Sequence, residues 1–479
     1  MEEKKAPNSG RQEGFIYLLK KLWVNFFVYN SYAFTVSMIF INFIIVSNIM
    51  WPGEDFHSSE LGLIVGTGMY VMAISGILFG FLADRYSRIY LMSFTEIIFG
   101  IGVFLNGLVP EGLGLISFNF FLICNLIRSF SSGGFYPIII SYVNDSTEEK
   151  EKSQFFGMLQ ALFQLFQISG MIISAILFQN AFWRQFFWVT GVIFIAFGIL
   201  IFFKGKEPKR ASTQDELKHV LLDDDIKYDY KLNKETIKTT IIAPTNIIAF
   251  AEGIFTTIIL MVPDFLLVAY IQSPPHNLSS FATSMYMVIF GLPGGLFGSL
   301  ALAKLSDKLA KRNIKYRIYF IVFSIVTLFG LYILIFYLPI PNLSIEEGEN
   351  LAIVFSLPVI WVIGLCAFFA RAVVGIWNIN QPPILQAINL PEAQGTVSSA
   401  NQFLELIGSG TGPIIAGFLL IYFNQNYQIT VTLVMGIGIF GGVLWLLATK
   451  WINKDIERVS DILKKRGSEL SMKNKESKI

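Results

Sequence analysis

The sequence predicts an all-α polytopic membrane protein with twelve transmembrane helices. Three observations carry this: the composition, the long apolar runs and the placement of charge. The chain has 479 residues, of which 54% are hydrophobic with Tyr counted and only 15% are charged. Soluble domains carry about 25% charged residues. Exchanging Tyr for Gly, the usual globular accounting, gives about 58% apolar, against roughly 45–50% for soluble domains. The mean hydropathy is +0.59. A soluble chain of this length would divide into several domains and need polar surface to cover them. With Cys 2 and Phe 46, disulfide scaffolds, disordered chains and collagen are excluded too.

A helix needs roughly 20 apolar residues to cross a bilayer. Such runs lie at 24–50, 60–83, 88–109, 113–143, 152–178, 182–203, 240–272, 279–303, 316–340, 351–387, 395–423 and 428–450. They are long and unalternating, whereas barrel strands need only ~10 alternating residues. The N-terminal stretch is polar and the first apolar run is too long for a signal core, so no cleavable signal peptide is expected. In the twelve-span arrangement, 33 of the 36 Lys and Arg fall on one side. They cluster in the N-terminal tail, loops 2–3, 4–5 and 8–9, the stretch 204–238, and the segment after Lys450. The opposite loops hold Arg184 alone, and loop 9–10 is acidic (Ile345-Glu346-Glu347-Gly348-Glu349). The positive-inside rule then makes both termini cytoplasmic. The two remaining basic residues, Arg128 and Arg371, lie inside spans 4 and 10, six spans apart, which points to an internal repeat.

The repeat extends to the loops. Gly80-Phe81-Leu82-Ala83-Asp84-Arg85-Tyr86-Ser87-Arg88 and Ala303-Lys304-Leu305-Ser306-Asp307-Lys308-Leu309-Ala310-Lys311 share the pattern small-x-Leu-small-Asp-basic-x-small-basic. Ser169-Gly170 on span 5 corresponds to Gly408-Ser409-Gly410-Thr411-Gly412-Pro413 on span 11. On these motifs the chain resembles the major facilitator superfamily, whose loop signature is G-x-L-a-D-r-x-G-r-k. Gly80, Leu82, Asp84, Arg85 and Arg88 match it, with Ser87 and Ile89 as departures. Arg128 through Gly133-Gly134 matches the span-4 signature, and Gly412-Pro413 the span-11 one. The resemblance implies two pseudo-symmetric six-helix bundles and transport by alternating access. Ala83-Asp84-Arg85-Tyr86-Ser87-Arg88-Ile89-Tyr90-Leu91-Met92, Trp183-Arg184 with Val189-Thr190, and Lys206-Glu207-Pro208-Lys209-Arg210 further resemble the Spinster-like branch. That branch carries lysolipids, sphingoid phosphates and related amphipaths, often with protons. Its usual Asp-Arg pair in span 1 is replaced by Tyr32-Ala33, and its span-4 Glu by Phe135.

Domain boundaries follow: 1–203 for the first bundle, 204–239 for a cytoplasmic linker, 240–450 for the second bundle, and 451–479 for a tail. In the tail, Ile452, Ile456, Val459 and Leu463 recur at helical spacing among Lys and Arg, which predicts an amphipathic interfacial helix.

A charge inside a membrane costs at least ~2.5–3.5 kcal/mol, so its default reading is functional. Arg128 and Arg371 are expected to approach each other at mid-depth and bind an anion, since each guanidinium can fork onto a carboxylate or phosphate. The bland alternative is neutralisation by a buried carboxylate. The available acids are Glu96, Glu252, Asp264 and Glu405. Burial favours the neutral form of a carboxyl, which makes Glu405 and Glu252 the candidates for proton coupling. Glu96 reads as structural. Polar stripes mark expected cavity faces: Asn25, Tyr29 and Tyr32 on span 1; Gln160, Gln164 and Gln167 on span 5; Trp377, Asn378, Asn380 and Gln381 on span 10; and Asn401 on span 11. Gly80, Asp84, Arg85, Arg88, Asp145, Asp307 and Lys308 are the expected gating latch, with Asp145 pairing Arg88 and the pairs joining the two halves. Pro137, Pro263, Pro293, Pro358 and Pro382-Pro383 are expected inside spans.

The expected function is secondary active transport of a small organic anion or anionic amphipath, with H+ as a possible coupling ion. The alternatives are a drug/H+ antiporter for cationic or neutral compounds, and a receptor or nutrient sensor on the same fold. No catalytic set, metal cluster or phosphate-binding loop is legible, so neither enzyme activity nor a cofactor is expected, and nucleic acid is not an expected partner. The expected setting is a monomer in the plasma membrane.

Overall fold

Inside a bilayer every backbone N–H and C=O must be satisfied within the chain, which leaves helices for runs like these. The computed structural model describes residues 15–83, 85–147, 149–208, 237 and 241–476. Twelve of its helices are long and apolar enough to cross a membrane. Spans 1 to 6 are Trp23–Ile41, Ser58–Ala83, Arg88–Asn106, Leu115–Ser146, Gln154–Gln179 and Trp183–Lys204. Spans 7 to 12 are Pro244–Gln272, Ser280–Phe297, Lys315–Tyr337, Pro358–Ala387, Pro391–Tyr422 and Tyr427–Ala448. Most of the linker, residues 209–236 and 238–240, and Asp84 lie outside the described residues.

Three expected spans are interrupted. The first run breaks at Ser37 and again at Asn42, so the helix resumes as Phe43–Met50. Asn42 Nδ2 donates to the Met38 carbonyl at 2.8 Å, competing with the helical ladder as short polar side chains do. The expected span 351–387 splits at Leu357, because Pro358 opens the long helix rather than kinking it. Span 8 carries π-helical turns at Met287–Gly291 and Gly298–Leu302 around Pro293, which has no N–H for the ladder.

Helix pairing divides the chain into two six-helix halves. In the first, span 2 packs on 4, span 3 on 4 and 6, and span 1 on 5; in the second, span 7 packs on 11 and 12, span 9 on 10 and 12, and span 8 on 10. Between the halves the main seam is span 2 against span 11. It lies on the side opposite the chain termini. Ser58 Oγ donates to the Gly417 carbonyl at 2.9 Å, and Tyr70 meets Thr411 at 2.7 Å. Between those contacts a Cβ on Gly66 would strike the Gly410 carbonyl, and one on Gly410 the Gly66 carbonyl. Glycine is what allows the two backbones to touch. Spans 1, 5 and 8 close the same side through Ile41, Met171, Ala175, Met287 and Val288. On the terminal side spans 2 and 11 part, opening a cleft of about 690 Å³.

The tail forms one helix, Ile452–Glu476. Ile452 and Val459 are buried against the protein, so part of the apolar stripe expected to lie on the bilayer is covered by the chain itself.

Candidate functional site

The cleft runs between spans 2 and 4 of one half and Ser399, Gln402, Phe403 and Leu406 of span 11. Met72 and Ser132 line both this cleft and a small cavity of about 40 Å³ at its inner end, where Arg128 sits. Arg128 Nη2 donates to Asn125 Oδ1 at 2.7 Å and Nη1 to the Thr35 carbonyl at 3.3 Å, while Nε is buried with no partner. Among the described residues no carboxylate pairs with it. Tyr32 shares the cavity. From there aromatic rings continue towards the terminal side: Tyr32 to Phe163 at 6.3 Å, Phe163 to Tyr29 at 5.0 Å, and Tyr29 to Tyr136 at 6.0 Å. Tyr136 lines the cleft. Gln160 and Gln164 are exposed on span 5, and Gln167 donates to Ser37 at 2.9 Å. Asn25, by contrast, is fully buried, and neither amide atom has a partner.

The two arginines do not form one site. The Arg128 cavity is lined by residues 32–132 alone. Arg371 is bound to Asp264 of span 7 at 2.5 Å, with about a third of each side chain exposed. This corrects the expectation that Arg371 offers an open guanidinium. Neither Glu252 nor Glu405 is its partner, because span 7 turns Asp264 towards span 10.

Glu252 and Glu405 instead lie together. Glu252 is fully buried and accepts from Thr256 at 2.5 Å, from the Trp377 indole at 3.3 Å and from Gln381 at 3.5 Å. Asn401 donates to Glu405 at 2.6 Å. Gly253 makes room for the Glu405 side chain: a Cβ there would be 3.2 Å from Glu405 Cγ. Trp377, Gln381 and Asn401, expected on a substrate surface, therefore serve the two carboxyls. Asn378, on another face of span 10, is exposed. Glu96 is fully buried and accepts from Ser31 at 2.6 Å, linking spans 1 and 3.

On the terminal side Arg88 is 1% exposed and binds Asp145, as its sequence position suggested. A third member was not foreseen. Glu207, just after span 6, accepts from Arg88 Nε at 2.6 Å, from Ser87 at 2.7 Å and from the Ile89 N–H at 2.9 Å. It thus caps the N-terminus of span 3, where a carboxylate is favoured. The signal was available, since Glu207 lies in the quoted stretch 206–210. Partial burial alone would raise its carboxyl, but the bonds from Ile89, Ser87 and Arg88 outweigh this and hold it below the usual value of 4.5. A folded pKa below the unfolded one adds stability above the unfolded value and loses it as pH falls through the folded value. Glu207→Gln is therefore expected to lower the thermal midpoint at pH 7, and this deficit shrinks towards zero in scans taken progressively below pH 4.5.

In the second half the equivalent cation is Arg317, which binds Asp307 at 2.8 Å and Asn380 at 3.2 Å, with Ser306 donating to Asn380 at 2.5 Å. Lys308 is exposed. Arg85 is exposed too and stacks over Phe81 at 3.9 Å. Gly80 lines the cleft. Among the described residues, the bonds of Arg88 to Asp145 and Glu207 and of Arg317 to Asp307 stay within one half each, and Asp84, expected in the same latch, lies outside those residues.

The family profile of the Major Facilitator Superfamily matches residues 26–408. The chain belongs to the major facilitator superfamily. With twelve helices long and apolar enough to cross a membrane, it is an integral, multi-pass membrane protein of this superfamily. Among solved structures, a bacterial homologue of the human lysosomal transporter Spinster, inward-facing and unoccupied, is similar at TM-score 0.70 and 16% identity. That match covers 92% of this chain and 99% of the other. A D-xylose–proton symporter is similar at TM-score 0.55 and 17% identity, over 90% and 96% of the two chains. At such identities the likeness is one of fold. The proline/betaine transporter of Escherichia coli (strain K12) is 24% identical over 157 residues, 32% of this chain and 29% of that one. A putative proline/betaine transporter of Staphylococcus aureus (strain COL) is 25% identical over 158 residues, 32% of each. This chain thus spans less than a third of the length of the curated relatives it matches.

Proposed function

We propose that this superfamily member is a Spinster-like secondary transporter that carries a small organic anion or anionic amphipath by rocking its halves about the span 2–span 11 seam. One observation carries the reading: Arg128, without a carboxylate partner among the described residues, closes the inner end of a cleft open on the terminal side. Buried charges are normally paired, so the missing partner is the anionic group of the substrate. Tyr29, Tyr32, Gln160 and Gln164 border its path, and Arg371 with Asp264 forms a pair that the moving half holds or breaks. The Glu252–Glu405 pair supplies proton coupling, since two neighbouring carboxyls, one fully and one half buried, with no cation bound to either among the described residues, cannot both ionise cheaply. The charge bias supports cytoplasmic termini, which makes the open side inward-facing. The setting is a monomer in the plasma membrane, with no enzymatic step, and the linker 204–239 joins the two bundles. The names of the proline/betaine relatives favour a second reading, a zwitterion whose carboxylate takes the same place on Arg128 while the aromatic rings receive its ammonium.

A ligand-stabilisation screen on the purified protein separates the readings. At about a hundredfold excess over Kd a ligand adds about 2.7 kcal/mol to stability. Organic anions, lysolipids or betaine-type zwitterions are expected to raise the thermal midpoint of the wild type and, at the same concentration, to raise that of Arg128→Gln by no more than about half as much. If only cationic drugs stabilise the protein, the antiporter reading takes its place.

A further inference from the structure

Polar contacts tie the tail helix to the terminal-side ends of spans 7 and 11, and tie span 7 in turn to the end of span 10. Asp455, 3% exposed, accepts the Thr245 N–H at the start of span 7 at 3.1 Å and is held by Arg458 at 3.0 Å. One residue on, Asn246 exchanges two hydrogen bonds with Asn389, which follows span 10, at 2.7 and 2.9 Å. Arg466, about three turns along the tail helix from Asp455, binds Glu392 in the first turn of span 11 at 2.8 Å. Side-chain exposure is 14% for Arg466 and 6% for Glu392. Ile452 and Val459 fill the space beneath.

The three spans gathered in this way are the three that build the carboxyl pocket: Glu252 and Thr256 on span 7, Trp377 and Gln381 on span 10, Asn401 and Glu405 on span 11. Seven residues, about 10 Å of helix, separate Thr245 from Glu252, and thirteen, about 20 Å, separate Glu392 from Glu405. A rotation or parting of spans 7 and 11 at the clamped ends would therefore be transmitted along rigid helices to the pocket. We infer that the C-terminal helix is a positioning clamp for the carboxyl pair, with Asp455 and Arg466 as its positioning residues. The inference rests on the coupling role proposed for Glu252 and Glu405. The charged groups in play are few. Glu252 and Glu405 are neighbours, and among the described residues no Lys, Arg or His bonds to either. Asp455 faces Arg458, and Glu392 faces Arg466.

The test uses full-length protein in proteoliposomes and compares wild type, Asp455→Asn/Arg466→Gln, the conservative Arg466→Lys, and Glu252→Gln. Two readouts are taken: the pH profile of substrate exchange, and the spin-label distance between cysteines placed at Ile247 and Ser398 on the terminal-side thirds of spans 7 and 11. The double variant is expected to broaden the distance distribution and move the pH midpoint by about half a unit or more. Arg466→Lys, which keeps the charge on Glu392 and folds without a cavity, is expected to hold the wild-type distance with at most a fraction of that shift. An unchanged distance in the double variant overturns the clamp. A broadened distance with an unmoved midpoint, while Glu252→Gln abolishes the pH dependence, leaves the tail with a structural role only and overturns the positioning claim. If Glu252→Gln also keeps the wild-type profile, it is the coupling reading that fails, and the inference falls with it.

Discussion

Arg128→Gln is expected to weaken transport of an anionic substrate while leaving the empty protein as stable as the wild type or more so. A hydrogen bond to a charged group contributes about 1.5–3 kcal/mol, so KM for the anion rises roughly ten- to hundredfold. The stability half of the expectation is the discriminating one. Arg128 has only an amide and a carbonyl for partners and one orphaned N–H. Replacing a half-buried charge that lacks a counter-ion among the described residues removes a desolvation cost and leaves no carboxylate stranded. Arg371→Gln is the contrast, because it leaves Asp264 without its partner. That variant should lose stability in the absence of any substrate, and Asp264→Asn in the same chain should recover part of it. Substrate uptake and thermal midpoints of the three variants provide the check. Equal loss of stability in the two arginine variants would place Arg128 among the structural residues.

Glu252→Gln is expected to abolish proton-driven accumulation and to spare exchange of substrate for substrate. Each pH unit is worth 1.36 kcal/mol per proton, so a one-unit gradient supports a roughly tenfold accumulation when one proton accompanies each substrate. In Glu252→Gln the ratio should fall to about one. Glutamine keeps the acceptor for Thr256 and the shape of the site but has no carboxyl to protonate. Glu405→Gln should act in the same direction and more weakly, since Glu405 is less enclosed than Glu252 and Asn401 already satisfies one of its oxygens. The measurement is uptake into proteoliposomes with an imposed pH gradient, set beside counterflow at equal pH. Accumulation that survives in both variants would exclude this pair as the coupling site.

Much of this architecture is legible before any coordinates. The number of spans, the division into halves and the exposure of Arg128 as an anomaly all follow from sums over local windows: hydropathy over about 20 residues and charge over loops. Arg88 and Asp145 were also legible, because each ends a span on the same side of the membrane. Asn125 was within reach as well, three residues before Arg128 and thus on the same helix face.

The partnerships inside the bundle are another matter. The sequence by itself determined how many spans there are, how the basic residues divide between alternate loops and which charges fall inside spans. Only the tertiary structure decided that Asp264 belongs to Arg371, that Gln381 serves Glu252 and Asn401 serves Glu405, that Arg317 and not Lys308 meets Asp307, and that Glu207 completes the Arg88 network. Each of these choices depends on how a helix is rotated about its axis, at about 100° per residue. A helix apolar on nearly every face carries little periodic signal to set that angle. Packing against its neighbours sets it, through contacts such as Gly66 against Gly410 and Gly253 against Glu405, and those neighbours are more than a hundred residues away in the chain.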